Sequence, residues 1–497
     1  MLAADVSHGA TTVLAQDRQV TRLGESVFRT GRISDEAMNF LVATLSRMAA
    51  AYSRLNIVGV RVVATSAVRD ASNQQEFLQR AGEALGTHVE IISGPEEARL
   101  IHLGVGARWP RPSERTLIID VGGGSAELII SRDGELMDAV SKPLGAVRLA
   151  EMFLKNDPPK PEDLHHMNSF ITEKLDSFYE AHADEKFDRA IATSASAAAV
   201  VCAVNQIPRD KREEADRMGA SISQIQKLNA ALGTSSLAQR RKMTGIGPRR
   251  AEIIVGGAAV FLRALEMFNH NGLYYCSAGV RDGVIADLAA RGVGREVSRL
   301  SPEQRATVEV LAKRYCVHFE HSRHIAYLGG CLFDALQSVH RLPPSAGKLL
   351  EAAGVLHDIG HFVSATGHHK HSAYLVANSD LPGFTDSERQ VMAALCRFHR
   401  KSLPQPKHSY FDDLNAESKR TVAYLTPLLR IADSLDRSNE GKVKNVKSVL
   451  RDNSIGLEIE AEGDAGLELW AAGEAAKSFR AIYGFPISVQ RAKAQSV

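Results

Sequence analysis

Cysteine is scarce in this chain of 497 residues, and the few cysteines show no pairing pattern. They are Cys202, Cys276, Cys316, Cys331 and Cys396. Because their number is odd, their positions are scattered and no CxxC spacing occurs, neither a disulfide framework nor a cysteine-based zinc cluster is indicated. We therefore expect a reducing environment, the cytoplasm.

Long hydrophobic runs are also missing. No stretch of 18 consecutive apolar residues occurs, and the chain does not open with a basic segment followed by an apolar core. We therefore expect neither membrane spanning nor export, and no membrane partner. An excess of one charge is lacking as well, because the net charge is only +2. Any field that attracts a polyanion must come from local arginines and lysines.

The composition is that of a soluble globular protein, with 44% hydrophobic and 24% charged residues. A chain of this length predicts three or four domains. Strand and helix patterns alternate in the first part of the chain, and helical patterns dominate after residue 300. This order predicts an α/β fold with ligands at the carboxyl edge of its sheet, followed by a helical part.

Residues 116–130, TLIIDVGGGSAELII, are the most informative stretch. The apolar run 117–119 before Asp120 predicts a buried strand, three glycines predict a turn, and a second strand follows. The glycines would allow positive φ and a close approach of backbone N–H groups to phosphate oxygens, with a divalent cation held by Asp120. The alternative is a plain β-hairpin whose glycines serve only geometry. Ser125 and Glu127 favour the phosphate site, because a plain hairpin needs neither the hydroxyl nor the second carboxylate.

A second candidate lies at the start of a helix, in the segment SGPEEARLIHLG. Ser93 and Glu96 have the spacing of a capping box, and Pro95 suits the first helical position. Capping thus explains Glu96 but gives no role to Glu97. The helix dipole favours the ionised form of Glu97. An ionised carboxylate beside a phosphate site can orient and deprotonate a water molecule.

These two segments and a later one, HHKHSAYLVANSDLPGF, resemble the exopolyphosphatase and guanosine pentaphosphate phosphohydrolase family over nearly the whole chain. The resemblance implies a duplicated actin-like (ribonuclease H-like) ATPase fold. Its expected reaction is hydrolysis of the terminal phosphoanhydride of inorganic polyphosphate or of guanosine pentaphosphate. It also implies Glu97 as the catalytic base and Mg²⁺ held by Asp120 and Glu127. The phosphate-binding residues that it implies are Thr65, Ser66, Arg69, Gly122, Gly123, Gly124, Ser125, Thr193, Ser194 and Ser196.

Several of these segments have local alternatives. Thr65 or Ser66 could be a helix N-cap, with Arg69 a solvated arginine. Ala195 stands where the family's second phosphate loop has a glycine, which makes a close backbone approach less secure. The segment GIGPRRA resembles a DNA-binding helix-hairpin-helix turn. The helical pattern IIVGGAAVFLRAL that follows favours packing against the sheet, so we expect no DNA partner.

The helical part carries a second constellation, His321, the adjacent His357 and Asp358, and Asp433, with His371 and His399 in the segments between. This order resembles the HD superfamily of metal-dependent phosphohydrolases. Imidazole with carboxylate ligands suits manganese, iron or zinc, so a second divalent transition metal is one interpretation. In the other, the histidines are structural and this part is a metal-free cap or dimer surface.

We predict four parts: actin-like subdomains at 1–104 and 105–291, an all-α HD-like domain at 300–438, and a small α/β domain at 442–497. The last contains the expected short strands SIGLEIEAEG and GLELWAAG, then a helix and a final strand. The opening residues resemble the end of the family's second strand. We therefore expect the first strand and its D-x-G-S-N-S-type phosphate loop to be missing, without replacement by Asp5.

Three rival functions stay open beside exopolyphosphatase activity. They are a sugar-kinase-like phosphotransferase, an HD-type nucleotide phosphohydrolase whose first part is regulatory, and a catalytically weak polyphosphate-binding protein. The family resemblance also suggests a homodimer.

Overall fold

The structure is a computed structural model that describes residues 1–7, 10–110, 113–291, 298–451 and 454–492. The chain divides into two compact units, Met1–Val293 and Gly294–Val497. The finer division into four parts stays a prediction. No helix within the described ranges is both long enough and apolar enough to cross a membrane.

The first unit alternates strands and helices. Its strands are β1 (Leu2–Ser7), β2 (Ala10–Gln16), β3 (Val62–Ala64), β4 (Val89–Ile91), β5 (Arg115–Val121), β6 (Ala126–Arg132), β7 (Glu135–Lys142), β8 (Arg189–Thr193), β9 (Gly219–Ser221) and β10 (Gly272–Tyr275). Its α-helices are α1 (Leu23–Thr30), α2 (Asp35–Tyr52), α3 (Ser66–Arg69), α4 (Gln74–Leu85), α5 (Gly94–Arg108), α6 (Ala146–Phe153), α7 (Pro161–Ala181), α8 (Ser194–Val204), α9 (Ile222–Thr234), α10 (Leu237–Arg240), α11 (Ile254–Met267) and α12 (Val280–Ala290). Short 3₁₀ turns occur at Arg209–Ala215 and Arg250–Glu252.

A six-stranded mixed sheet of order β7-β6-β5-β8-β10-β9 forms the centre of this unit. Strand β8 is parallel to both β5 and β10, whereas β6 pairs antiparallel with β5. Leu117 and Ile119 of β5 pack in a core with α7, α8 and α11, and Ile118 packs on the other face against α5. The prediction that this strand is buried on both faces is confirmed. Because β5 and β8 are parallel, their carboxyl ends meet at one edge of the sheet.

Helices α5 and α12 pack with their backbones in close contact. A Cβ on Gly283 would lie 1.7 Å from the carbonyl oxygen of Leu100. A Cβ on Gly104 would lie 2.4 Å from the carbonyl oxygen of Gly279. Only glycine fits at these two positions without displacement of the helices.

Two smaller sheets complete the unit. Strands β1 and β2 form an antiparallel hairpin. The opening residues predict two short strands joined by a turn at Ser7, His8 and Gly9, and residues 8 and 9 lie outside the described residues. Strands β3 and β4 form a parallel pair. The β-branched run 58–64 predicts a longer strand than β3, which spans only Val62–Ala64, and Val58 is 80% exposed. Its apolar side chain thus lacks the packing that would hold a longer strand.

The second unit is mainly helical. Its helices are α13 (Pro302–Arg314), α14 (Phe319–Ala335), α15 (Gln337–His340), α16 (Ser345–Leu356), α17 (His368–Ala377), α18 (Asp386–Phe398), α19 (Ala416–Ser434) and α20 (Gly466–Tyr483), with a 3₁₀ turn at Ile359–Phe362. Its strands β11 (Val443–Arg451), β12 (Ser454–Ala461) and β13 (Ile487–Arg491) form a sheet in that order.

Two predictions for this unit are wrong. The helical period over 305–336 predicts one helix, but two form, with Cys316, whose φ of 52° is left-handed, between them. The segment GLELWAAG, predicted as a strand, is the first half of α20. Its apolar residues alternate at first, but Ala472, Ala476 and Phe479 are buried at helical spacing.

Candidate active site

Two acidic side chains flank the glycine turn between β5 and β6. Asp120 and Glu127 are direct cross-strand partners, so their side chains lie on the same side of the sheet. Glu127 is buried and accepts a hydrogen bond of 2.7 Å from the Ser141 hydroxyl. Burial raises the pKa of Glu127 to about 6, although hydrogen bonds from Ser141 and Ser125 oppose the shift. Desolvation and then the charge of Glu127 raise the pKa of Asp120 to about 8.

Glu97 enters the same cluster from the first turn of α5. Ser93 caps this helix by accepting a hydrogen bond from the Glu96 amide, and Pro95 occupies the first turn. The Glu97 side chain is buried, and its Oε2 lies 3.8 Å from Nη2 of Arg69. Within the described residues this oxygen has no hydrogen-bond partner.

The helix dipole favours the ionised form of Glu97, but in the protein without ligands other effects oppose it. Burial, followed by the negative charges of Glu127 and then Asp120, raises the pKa of Glu97 well above its ordinary value. The positive charge of Arg69 acts in the opposite direction but does not offset them. Three carboxyl groups therefore share one buried region, in which the charge of Glu127 disfavours the charged forms of Glu97 and Asp120.

Glu96 has a role that spacing did not predict. Its carboxylate pairs with Arg99 at 2.7 Å and with Arg61 at 3.1 Å. Both arginines also pair with Asp287 of α12, at 2.6 and 2.8 Å. Glu96 therefore belongs to a buried ion cluster that ties α5 to α12.

The glycine turn is shaped by close packing. None of its three glycines is among the described residues with positive φ, so that expectation is wrong. A Cβ on Gly124 would instead lie 2.1 Å from the Ser66 hydroxyl oxygen and 2.3 Å from the Phe28 ring. A Cβ on Gly145 would lie 2.3 Å from the backbone of Gly123. Glycine is required here because other chain segments approach the turn.

The segment after β3 is close to this turn. Thr65 stands at the N-cap of α3 but makes no side-chain capping hydrogen bond. The Ser66 hydroxyl is buried and has no partner within the described ranges. Arg69 donates to the carbonyl oxygen of Ile92 at 2.5 Å and is largely shielded from solvent. The alternative of a capping hydroxyl with a solvated arginine is therefore not supported.

The hydroxyls after β8 are already engaged. Thr193 donates to the carbonyl oxygen of Ala278, and the fully buried Ser196 accepts from Nη1 of Arg250 at 3.2 Å. Ser194 has a left-handed φ of 92° and its Oγ accepts from the amide of Ser196 at 3.1 Å. The left-handed residue of this loop is thus Ser194, and Ala195 is exposed. Of the three hydroxyls, only that of Ser194 borders the main cavity.

That cavity has a volume of about 850 Å³. The predicted site residues on its wall are Thr65, Ser66, Glu97, Gly122, Gly123, Gly124, Ser125 and Ser194. A neighbouring cavity of about 210 Å³ is lined by Asp120, Thr193 and Ser194.

Sequence analysis missed the arginines of the main cavity. They are Arg18, Arg22, Arg209, Arg212, Arg249 and Arg250. Two of them come from GIGPRRA, the segment that had suggested a DNA-binding turn, and this segment lines the cavity instead. The two adjacent arginines of this segment were the one sequence signal of the cavity arginines.

The helical unit brings its predicted metal residues together. Single ligand atoms of His321, His357 and Asp358 lie within 4.8 Å of one another, and Asp433 Oδ1 lies 3.8 Å from His357 Nε2. His361 and His368 join Asp358 in a second such group, which sequence analysis did not identify. In the segment HHKH the residue beside Asp358 is His368, one helical turn before the His371 noted from sequence.

Comparison with known proteins identifies the family. The model of the Ppx/GppA phosphatase family matches residues 2–291, and that of Ppx/GppA phosphatase domain III matches residues 304–468. An exopolyphosphatase-like protein of known structure is 28% identical, with a TM-score of 0.54 over 57% of this chain and 92% of its own. A Ppx/GppA family member from Aquifex aeolicus is 26% identical, with a TM-score of 0.51 over 58% and 92%.

An exopolyphosphatase from Cytophaga hutchinsonii is also 26% identical, with a TM-score of 0.54 over 58% of this chain and 93% of its own. These likenesses confirm the predicted actin-like ATPase type of α/β fold, and the helical character of the C-terminal region is as expected. The assignment of that region to the HD superfamily stays a prediction. With one family model matching more than half of its length and a second matching its helical region, this chain belongs to the Ppx/GppA phosphatase family.

Proposed function

We propose that this chain is a phosphoanhydride hydrolase that removes the terminal phosphate of inorganic polyphosphate. The observation that carries the proposal is the group of three carboxyls, Glu97, Asp120 and Glu127, beside a cavity lined by arginines. Similar proteins of known structure are exopolyphosphatases or exopolyphosphatase-like, which supports the same substrate class. Guanosine pentaphosphate ends in the same kind of anhydride and is the alternative substrate.

The pair of carboxyls of Asp120 and Glu127 is suited to bind a divalent cation. Burial and then the charge of Glu127 raise the pKa of Asp120 to about 8, and burial raises that of Glu127 to about 6, so a positive charge between them would be strongly favoured. Carboxylate oxygens are the ligands that Mg²⁺ prefers. Mg²⁺ held by Asp120 and Glu127, directly or through water, would neutralise charge on the phosphate oxygens.

The chain's own residues would position the reacting groups. Glu97, whose Oε2 is unpartnered, would orient a water molecule and accept its proton. The Ser66 hydroxyl and the amides of the glycine turn would donate to phosphate oxygens, and Arg69 would add positive charge beside Glu97. The other proposed phosphate-binding residues are Thr65, Ser125, Thr193, Ser194 and Ser196, of which Thr193 and Ser196 would act mainly through loop geometry.

The arginines extend the site along the cavity. Arg250 is largely desolvated, and burial and then the charge of Arg209 lower its pKa, which indicates positive charges held close together. These like charges repel one another in the empty cavity, and a bound polyanion would stabilise them. A chain of phosphates lying against these arginines would present its end to Glu97.

For the helical unit, we propose that His321, His357, Asp358 and Asp433 hold one transition-metal ion. The buried Nε2 of His357, which has no hydrogen-bond partner within the described residues, supports this interpretation over purely structural histidines. Dimerisation stays a proposal from the family resemblance.

A substrate panel tests the proposed function. The purified protein with Mg²⁺ is given polyphosphate, guanosine pentaphosphate, or ATP with and without a sugar acceptor, and released phosphate and ADP are measured. We expect phosphate release from polyphosphate without any acceptor. ATP consumption that requires the sugar would identify a phosphotransferase, and binding of polyphosphate without turnover would identify a binding protein.

A further inference from the structure

The start of α6 holds all three carbonyl oxygens of the glycine turn between β5 and β6. The carbonyl oxygens of Gly122 and Gly123 accept hydrogen bonds of 2.9 to 3.1 Å from backbone amides in the first turn of this helix. The carbonyl oxygen of Gly124 accepts a hydrogen bond of 2.8 Å from the side chain of Arg148, through Nε. The backbone of one helix and a single side chain thus fix three successive peptide groups.

These contacts decide where the amides of the turn point. In a planar trans peptide the C=O and the following N–H point in opposite directions. Because the carbonyls of residues 122–124 face α6, the amides of Gly123, Gly124 and Ser125 point away from it. Among the residues that the structure describes, none accepts a hydrogen bond from these three amides. Their residues line the main cavity, and successive N–H groups in such a turn can bind an anion.

Arg148 also joins the turn to two elements that come earlier in the chain. Its Nη2 pairs with the carboxylate of Asp70, which directly follows α3. Its guanidinium lies over the Phe28 ring of α1, 4.1 Å from the ring centroid, and that ring lies close to Gly124. A planar guanidinium can donate through Nε and Nη2 and stack through its face at once, which a lysine ammonium cannot do. One side chain therefore fastens the turn to α1 and α3.

We propose that Arg148 is a positioning residue for hydrolysis of the terminal phosphoanhydride. It holds the Gly124 carbonyl so that the amide of Ser125 is presented to the terminal phosphate. Through Asp70 it also holds the turn in register with α3, which begins with Ser66 on the cavity wall. Arg148 itself does not line the main cavity, so it acts through the turn rather than on the substrate. This role rests on the proposed function, because it serves the same reaction.

Two kinds of substrate contact have different kinetic effects. The cavity arginines would bind the body of the phosphate chain, whereas the amides of the turn would reach only its end. Contacts at the reacting phosphate act mainly in the transition state, where charge develops. Displacing such a group by about 1 Å can lower the rate about 10²-fold. Loss of Arg148 should therefore lower kcat and leave KM for long-chain polyphosphate little changed.

Steady-state kinetics on Arg148→Ala test this role. With Mg²⁺ and long-chain polyphosphate, we expect kcat to fall about 10²-fold at nearly constant KM. The matched control is Arg263→Ala, since Arg263 likewise joins two helices of the first unit, by donating to Thr172 at 2.8 Å, but does not line the cavity. It should keep the kcat of the unmodified chain. Circular dichroism checks that both variants are folded.

Different results reject different claims. An unmodified chain that releases no phosphate from polyphosphate would overturn the proposed function, and this role with it. An active unmodified chain with an equal kcat in folded Arg148→Ala would overturn the role of Arg148 alone. So would a loss that arises from KM only, because Arg148 would then act in binding of the chain.

Two further variants decide if Arg148→Ala does not fold. Arg148→Lys keeps the charge but not the planar fork, and Asp70→Asn keeps the Gly124 contact but removes the charge that orients the guanidinium. Both should lower kcat by less than about 10²-fold, again at nearly constant KM. A kcat equal to that of the unmodified chain in both folded variants would overturn the proposal.

Discussion

Asp120 and Glu127 face each other as cross-strand partners in the hairpin of β5 and β6. Their Cβ atoms are therefore expected about 4.5–5.5 Å apart. The desolvated Asp120 carboxyl next to the negative charge of Glu127 has a pKa of about 8, and the Glu127 carboxyl has one of about 6. In the cation-free protein near neutral pH, this pair thus holds at least one proton that a metal ion must displace.

Mg²⁺ binding should therefore depend on pH. Because only the ionised carboxylates bind the cation, affinity should rise as pH increases from 6 to 8, by up to roughly tenfold per pH unit for each proton displaced. Calorimetry in buffers of different ionisation enthalpy measures both the affinity and the proton release. In Glu127→Gln the rise should move to lower pH, because Asp120 loses its like-charged neighbour. An affinity that is constant from pH 6 to 8 would contradict the account.

Gly124→Ala should destabilise the first unit. Its Cβ would meet the Ser66 hydroxyl oxygen and the Phe28 ring at distances that force a shift of both. Overpacking of this kind costs about 1–3 kcal/mol, and we expect a melting temperature lower by several degrees. The matched control is Gly123→Ala, whose Cβ would lie at an ordinary 3.6 Å from Val147. Equal melting temperatures for the two variants would show that the turn can relax.

Because of the ion cluster between α5 and α12, the free energy of unfolding should decrease at acid pH. Burial acts to raise the pKa of Asp287, but the charges of Arg291, Arg99 and Arg61 outweigh it and hold this pKa below its ordinary value. The stabilising contribution is therefore complete above the unfolded pKa near 4 and is lost as pH falls through the folded pKa.

Asp287→Asn tests this directly. Breaking a buried ion pair costs about 3–5 kcal/mol, so we expect a large loss of unfolding free energy at pH 7 that shrinks below pH 4. Urea unfolding at both pH values measures it. Asp176→Asn, an exposed position on α7, is the control. A variant as stable as the unmodified chain at pH 7 would mean that the arginines find other partners.

Asp436→Asn should lower the affinity of the helical unit for the metal ion proposed on His321, His357, Asp358 and Asp433. Asp436 Oδ2 accepts from Nδ1 of His321 at 2.7 Å, which orients the other ring nitrogen and makes it more basic. Loss of such a supporting carboxylate typically reduces metal affinity about 10–100-fold. Competition with a coloured chelator measures the change, with Asp413→Asn as an exposed control. Undiminished affinity would remove His321 from the ligand set.

Local patterns were enough to predict the hairpin of β5 and β6 and the start of α5. In each case the signal lies within one segment: buried apolar runs, glycines, or a cap with proline. Glu96 shows the limit, since its spacing matches a capping box while its carboxylate pairs with Arg61, 35 residues away in sequence. Short-range spacing does not reveal such a partner.

The cavity arginines and the second histidine group depend on tertiary structure. Arg18 and Arg250 share one cavity wall although they are far apart in the chain. In HHKH, the choice of His368 over His371 follows from where α17 begins and how it faces the 3₁₀ turn at Ile359–Phe362. The strand predicted for GLELWAAG failed because a short apolar alternation is also compatible with a helix.

Phosphate release by Glu97→Gln tests the central claim most directly. Polyphosphate hydrolysis at saturating Mg²⁺ and polyphosphate binding are measured on the same preparations, with Glu180→Gln, an exposed position on α7, as the control. Glu96 is unsuitable as a control because its carboxylate is part of the buried ion cluster. The account predicts turnover reduced by about 10²–10⁴ with binding retained, since only the proton acceptor is lost. Turnover equal to that of the unmodified chain would contradict it.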